Sequence, residues 1–180
     1  MSGRQLPGCG RAVACFLAAC CRVMSPDQLH HILAYRNDDV VSRFTDQFAV
    51  SETEAEDIFT ETLKFLYLSQ LPTVFIPDDL LIVDEMWHNF ILFTPAYVAF
   101  CKTHFQGEFF HHVPASRAEK QQRQRALAAN AEQARQVYLD KLAELMRAAY
   151  DHLGEATVRK WFQQYPEQYS KTNITALRRY

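Results

Sequence analysis

Asp84 and His88 stand four residues apart in the run Asp84-Glu85-Met86-Trp87-His88, Cys101 follows, and His111-His112 lie beyond Gly107. Carboxylate, imidazole and thiol are the groups that ligate transition metals, or that assemble into a nucleophile, its base and an orienting acid. At helical spacing Asp84 and His88 share a face with Leu80 and Ile91. That face is otherwise apolar, so the spacing predicts a buried pair, and an unpartnered charge there would cost on the order of several kcal/mol. The least costly partner of each is the other, in an Asp–His hydrogen bond that fixes the imidazole tautomer. On the following segment Cys101 shares a face with Tyr97, Val98, His104 and Phe105 that is expected to turn toward the core. A short link between the two segments lets His88 and Cys101 meet. Gly107 lets the chain bend back, so that His111 or His112 closes the site from a third direction.

Three chemistries fit these residues. In the first, His88, Cys101 and a loop histidine bind zinc or iron, with Asp84 as fourth ligand or as the partner that orients a ligand. A fourth position held by water would make such a site catalytic. In the second, Cys101 is a nucleophile, His88 its base and Asp84 the orienter. The mid-helix position of Cys101 counts against this, because a thiol pKa is lowered at a helix N-terminus. In the third, Asp84 and His88 are a buried polar pair, Cys101 a small core residue, and the histidines loop decoration. There is no CxxC or HExxH motif to decide among them.

The elements that must position these groups read as helices. The chain has 180 residues, 48% of them apolar, with only five glycines and seven prolines, so a packed core with long helices is expected. A net charge of -2 removes the simplest electrostatic case for nucleic acid, and no nucleic-acid-binding motif appears. Four of the five cysteines, Cys9, Cys15, Cys20 and Cys21, fall in the first 24 residues, leaving Cys101 alone beyond them. That is no disulfide framework and fits a reducing, cytoplasmic setting. Residues 1–24 read as a disordered leader or a non-native start before Met24. The run Leu17-Ala18-Ala19-Cys20 also fits a lipoprotein box anchored at Cys20, but its apolar stretch is too short to span a bilayer.

Ser25-Pro26-Asp27-Gln28 predicts a helix start and a helix to about Tyr35. Asp38 or Asp39 caps the next, ending near Phe48. Ser51-Glu52-Thr53-Glu54 opens a helix to about Gln70 with Ala55, Ile58, Phe59, Thr62, Phe65 and Leu66 on its core face. After an extended connector, Asp78 or Asp79 caps a central helix over about 80–93, apolar on most sides, with Glu85 and Asn89 as its solvent stripe. Thr94-Pro95 starts another helix, to about Phe105. Ser116-Arg117-Ala118-Glu119 then opens a long helix to about Leu153, stopped by Gly154 and carrying Leu127, Ala131, Ala134, Tyr138, Leu142, Leu145 and Ala149 on one stripe. A final helix from about Glu155 packs Val158, Trp161, Phe162 and Tyr165, and residues 166–180 read as a loose tail.

Val83-Asp84-Glu85-Met86-Trp87-His88, with Tyr97, Cys101, Gly107 and His112, resembles the core signature of the glycine-rich domain-containing protein-like family. The resemblance spans about residues 26–114 and is nearest to short bacterial members. The glycine-rich part that names that family is absent. The family pattern has its last histidine five residues after the glycine, which maps to His112 rather than His111. No particular activity is implied, but the resemblance raises the metal or active-site reading, since its polar positions coincide with those picked out by burial.

The sequence therefore predicts an all-α, irregular or orthogonal bundle of about six or seven helices, over 25–165, with one long C-terminal helix or helical pair. Its leading function is a zinc- or iron-binding pocket of His88, Cys101, His112 and Asp84. The alternative is a non-enzymatic adaptor that meets a protein partner through the 116–153 helix, its polar cluster serving only the fold. No transmembrane segment is expected.

Overall fold

Capping chemistry sets most of the helix starts. The computed structural model describes residues 24–107, 109–113 and 116–179, so the readings of the N-terminal leader and of Cys20 lie outside the described residues. Ser25 accepts from the Gln28 N–H and Pro26 fills the first turn of α1 (Pro26–Leu33). Asn37, rather than Asp38 or Asp39, caps α2 (Asp38–Gln47) through the Val40 N–H. Ser51 caps α3 (Glu52–Leu68). Ser116 and Glu119 form a full reciprocal capping box on α6 (Arg117–Ala129). Between α3 and α6 run a short 3-10 turn (Asp78–Leu80), α4 (Leu81–Leu92) and α5 (Thr94–His104), and the last two are joined with only Phe93 between them.

The fold is all-α. Among the described residues the only strand-like feature is one isolated antiparallel bridge, between Phe48 and Arg178. All six expected core residues of α3 are buried: Ala55, Ile58, Phe59, Thr62, Phe65 and Leu66. α3 packs along α4 and receives α1 and α2 at its sides, which makes it the spine of the core. The aromatic interior is continuous: Phe90 meets Phe59 edge-on at 5.2 Å between ring centroids, Tyr97 at 5.1 Å and Phe100 at 5.4 Å.

The long C-terminal helix is a pair. Asn130 interrupts it, and its side chain accepts from the Gln133 N–H to start α7 (Ala131–Leu153). Of the expected apolar stripe only Leu145 and Ala149 are buried, whereas Leu127 and Tyr138 are exposed, because α6 and the first half of α7 extend past the core. Gly154, at φ +86°, turns the chain into a continuous helical stretch made of α8 (Glu155–Arg159), a π-helical segment (Lys160–Gln164) and α9 (Tyr165–Gln168). Trp161 and Tyr165 are buried there. The Trp161 indole N–H donates to Glu61 at 2.8 Å, and the same carboxylate takes Lys64 at 2.9 Å and Lys160 at 3.2 Å, tying α3 to this stretch.

The loose tail expected after Pro166 is instead ordered. α10 (Lys171–Leu177) buries Ile174, and long-range backbone bonds hold it: the Ala49 N–H donates to Leu177 at 2.8 Å and the Arg179 N–H to Gln47 at 2.9 Å. Arg178 pairs with Glu85 of α4 and lies over the Phe48 ring. None of these partners is near in sequence, which is why the tail lacks a local pattern. No helix among the described residues is long and apolar enough to cross a membrane.

A candidate metal-ligating site on α4

α4 is apolar nearly all round, and the partners that meet it decide which stripe goes inside. Asn89, expected at the surface, is buried. Its amide donates to the Val40 carbonyl at 2.8 Å and accepts from the Arg43 guanidinium, both of α2, and donates weakly to the Met86 sulfur of α4 at 3.8 Å. The neighbouring stripe, about 100–140° round the helix from Asn89, turns outward instead. The Asp84 side chain is 23% exposed and that of His88 51% exposed, so the fully buried pair expected from the apolar pattern is not what forms.

The direct Asp84–His88 hydrogen bond is also replaced. The His88 Nδ1–H donates to the backbone carbonyl of Asp84 at 2.8 Å, while the nearer carboxylate oxygen stands 3.6 Å away. A carbonyl oxygen only accepts, so this bond keeps the proton on Nδ1 and leaves Nε2 of the neutral ring with a free lone pair. The carboxylate of Asp84 faces His112, whose Nε2 lies 2.7 Å from Oδ1. The two imidazoles sit face-tilted with centroids 4.1 Å apart, and the Trp87 indole meets His112 edge-on at 4.6 Å. One ligand atom from each of Asp84, His88 and His112 lies within 4.8 Å of the others. His111 points elsewhere, exposed and tilted at 60° against the Phe109 ring.

His112 reaches α4 because the chain reverses after α5. Gln106 at φ 55° and Gly107 at φ 87° both adopt the left-handed region, which glycine enters without strain. Phe110 packs on Phe105 at 4.8 Å and Phe109 on Tyr97 at 5.0 Å, which folds segment 109–113 against α5. A hydrogen-bonded chain runs beneath it: the Trp87 indole N–H donates to the Tyr97 hydroxyl at 3.0 Å, and that hydroxyl donates to the Phe110 carbonyl at 2.8 Å. Burial pushes the Tyr97 phenol far above its ordinary value, so it stays protonated and keeps this donor.

Cys101 belongs to this chain and not to the ligand cluster. It is buried one turn after Tyr97, and its thiol engages the Tyr97 hydroxyl and the backbone of Phe110. The expected meeting of Cys101 with His88 does not occur, because Cys101 faces the core side of α5 whereas His88 is on the outward stripe of α4. Burial raises the thiol pKa, and the hydrogen bonds to Phe110 and Tyr97 offset this only in part. A thiol held protonated and out of solvent is a poor nucleophile. Peptide mapping after iodoacetamide treatment should accordingly find Cys101 unmodified in native protein and fully modified after denaturation. Rapid native labelling would revive the covalent mechanism.

Residue type alone does not show Trp87 as a link in this chain, and the role of the Phe110 carbonyl is not legible from sequence at all. The one available signal was the placement of Trp87 and Tyr97 on either side of a very short helix link.

No curated protein and no solved structure matches the chain. The family model described as UCP032817-like matches residues 28–138, a span that contains Asp84, His88 and His112, the Trp87–Tyr97–Cys101 chain, and the α6–α7 junction. With the greater part of its length inside that match, the chain belongs to the UCP032817-like family.

Proposed function

We propose that Asp84, His88 and His112 bind one divalent transition-metal ion, zinc or ferrous iron, through a carboxylate oxygen and two imidazole nitrogens. Two histidines and one carboxylate suit both metals, and three protein ligands leave coordination positions open to water or substrate. With Cys101 outside the cluster, the soft-sulfur preference for zinc falls away, and both ions stay in the proposal. Metal–ligand bonds of about 2.0–2.1 Å set ligand atoms roughly 3.3 Å apart in a tetrahedral site. The 2.7 Å contact between Asp84 and His112 would therefore open by about half an ångström as the metal replaces the shared proton.

The observation that carries the reading is His88. A polar pair serving only the fold needs Asp84 and His112 and nothing more. Yet a half-exposed second imidazole stands beside them with one nitrogen committed to its own helix and the other free. That is the ring orientation seen for metal-bound histidines, whose second nitrogen is held by a carbonyl or carboxylate. The adaptor alternative gives this ring no task. Kinship with the glycine-rich domain-containing protein-like family, proposed from the sequence, agrees with the site but adds no reaction to it.

The test is elemental analysis of the purified protein, followed by zinc and anaerobic ferrous-iron titration after chelation. About one ion per chain is expected, bound far more weakly but still measurably in His88→Ala and in His112→Ala, and held as in wild type by Cys101→Ser. A folded wild-type protein that takes up neither ion would sink the proposal.

A further inference from the structure

We propose that Tyr97 is a positioning residue for this site: by tethering the Phe110 carbonyl, its hydroxyl holds His112 in place and so sets metal affinity without touching the ion. The inference rests on the metal reading above.

Two of the three ligands need no such help. Asp84 and His88 share one helix at i, i+4, and the helix fixes their separation. His112 is different, since it lies on segment 109–113, which has no regular secondary structure. Among the described residues, that segment makes no hydrogen bond to another backbone group. Its tether is the Tyr97 hydroxyl at Phe110, two residues before His112, with the Cys101 thiol alongside. The hydroxyl is itself aimed by the Trp87 indole N–H, and Trp87 immediately precedes the ligand His88. The chain thus connects the helix that carries two ligands to the segment that carries the third. Removing the tether loosens that segment, which then keeps its ring packing and the Asp84–His112 contact, and the ion must supply the remaining entropy of ordering it.

Tyr97→Phe isolates the effect, because the ring keeps its packing on Phe90 and Phe109 and only the hydroxyl is lost. Zinc affinity is measured by competition with a chromophoric chelator in wild type, Tyr97→Phe, His112→Ala and the double variant, with folding checked by circular dichroism. Tyr97→Phe is expected to weaken zinc binding about 10–100-fold, the range found when a partner supporting a metal ligand is removed. In the His112→Ala background the same change should shift affinity less than about 2-fold, because the residue whose placement it controls is gone. A loss of equal size in both backgrounds, or no loss in either, overturns the positioning role while leaving the metal site standing. Wild type that binds no zinc or ferrous iron overturns the metal reading, and this inference with it. Should Tyr97→Phe not fold, Trp87→Phe, which removes the donor that aims the hydroxyl, is carried through the same cycle with the same expectation.

Discussion

Asp84→Ala should lose zinc and ferrous iron by at least about 100-fold in affinity, more than the usual loss for a partner that merely supports a ligand. Asp84 is the anionic member of the set, and without it two neutral imidazoles face a divalent cation. It also holds His112, whose Nε2 is bound to its carboxylate at 2.7 Å. One substitution thus removes a ligand and releases a second. The fold should barely register the change. The pair is partly buried, with side chains 16% and 23% exposed, and should contribute about 1 kcal/mol, the upper end for ion pairs near the surface. Asp84→Asn separates the two roles, since it keeps an acceptor oxygen for His112 but loses the charge, and should fall between wild type and alanine. Isothermal titration paired with thermal unfolding reads both quantities. If Asp84→Ala bound metal as tightly as wild type, the carboxylate would have no place in the site.

Glu61→Ala should do the opposite, sparing the site and destabilising the fold by about 3–5 kcal/mol, as when one partner of a buried charge network is removed. Glu61 is 2% exposed and accepts from the Trp161 indole and from Lys64 and Lys160. Its removal strands a buried indole N–H and leaves two ammonium groups without their shared counter-charge. Lys160 keeps Asp57, which softens the loss on that side. Trp161→Phe removes the indole donor, a hydrogen bond to a charged group worth about 1.5–3 kcal/mol, and adds the cavity left by part of a fully buried ring, but it leaves Glu61 with both lysines. Denaturant unfolding of the variants decides this, and a Glu61→Ala loss below about 1 kcal/mol would show that the network is not what fastens the C-terminal stretch to α3.

The two predictions also mark where the sequence was legible. Local signals were read well: Ser25, Ser51 and Ser116 start their helices, and the α3 core face is as expected. Asn130 was legible but passed over, because Asn130-Ala131-Glu132-Gln133 is itself a helix start embedded in unbroken helical pattern. What failed depended on partners distant in the chain. Asn89 is buried because Val40 and Arg43 satisfy it; Glu61, on which the sequence is silent, is buried because the distant Trp161 and Lys160 join its neighbour Lys64 there. On a helix as uniformly apolar as α4, such partners choose the inward face, and the choice of Asn89 sent Asp84 and His88 outward. The ligating groups were therefore visible as residue types, while their arrangement was not. Sequence spacing put Asp84 with His88 and Cys101 in the pocket. The fold pairs the Asp84 carboxylate with His112 and assigns Cys101 to the chain beneath the loop.

X-ray absorption at the metal edge of zinc-loaded protein reads which atoms of Asp84, His88 and His112 meet the ion. Expected are nitrogen and oxygen neighbours alone, at about 2.0–2.2 Å, with imidazole scattering that falls when either His88 or His112 is replaced. A sulfur shell near 2.3 Å, or imidazole scattering unchanged in both histidine variants, would contradict this ligand set.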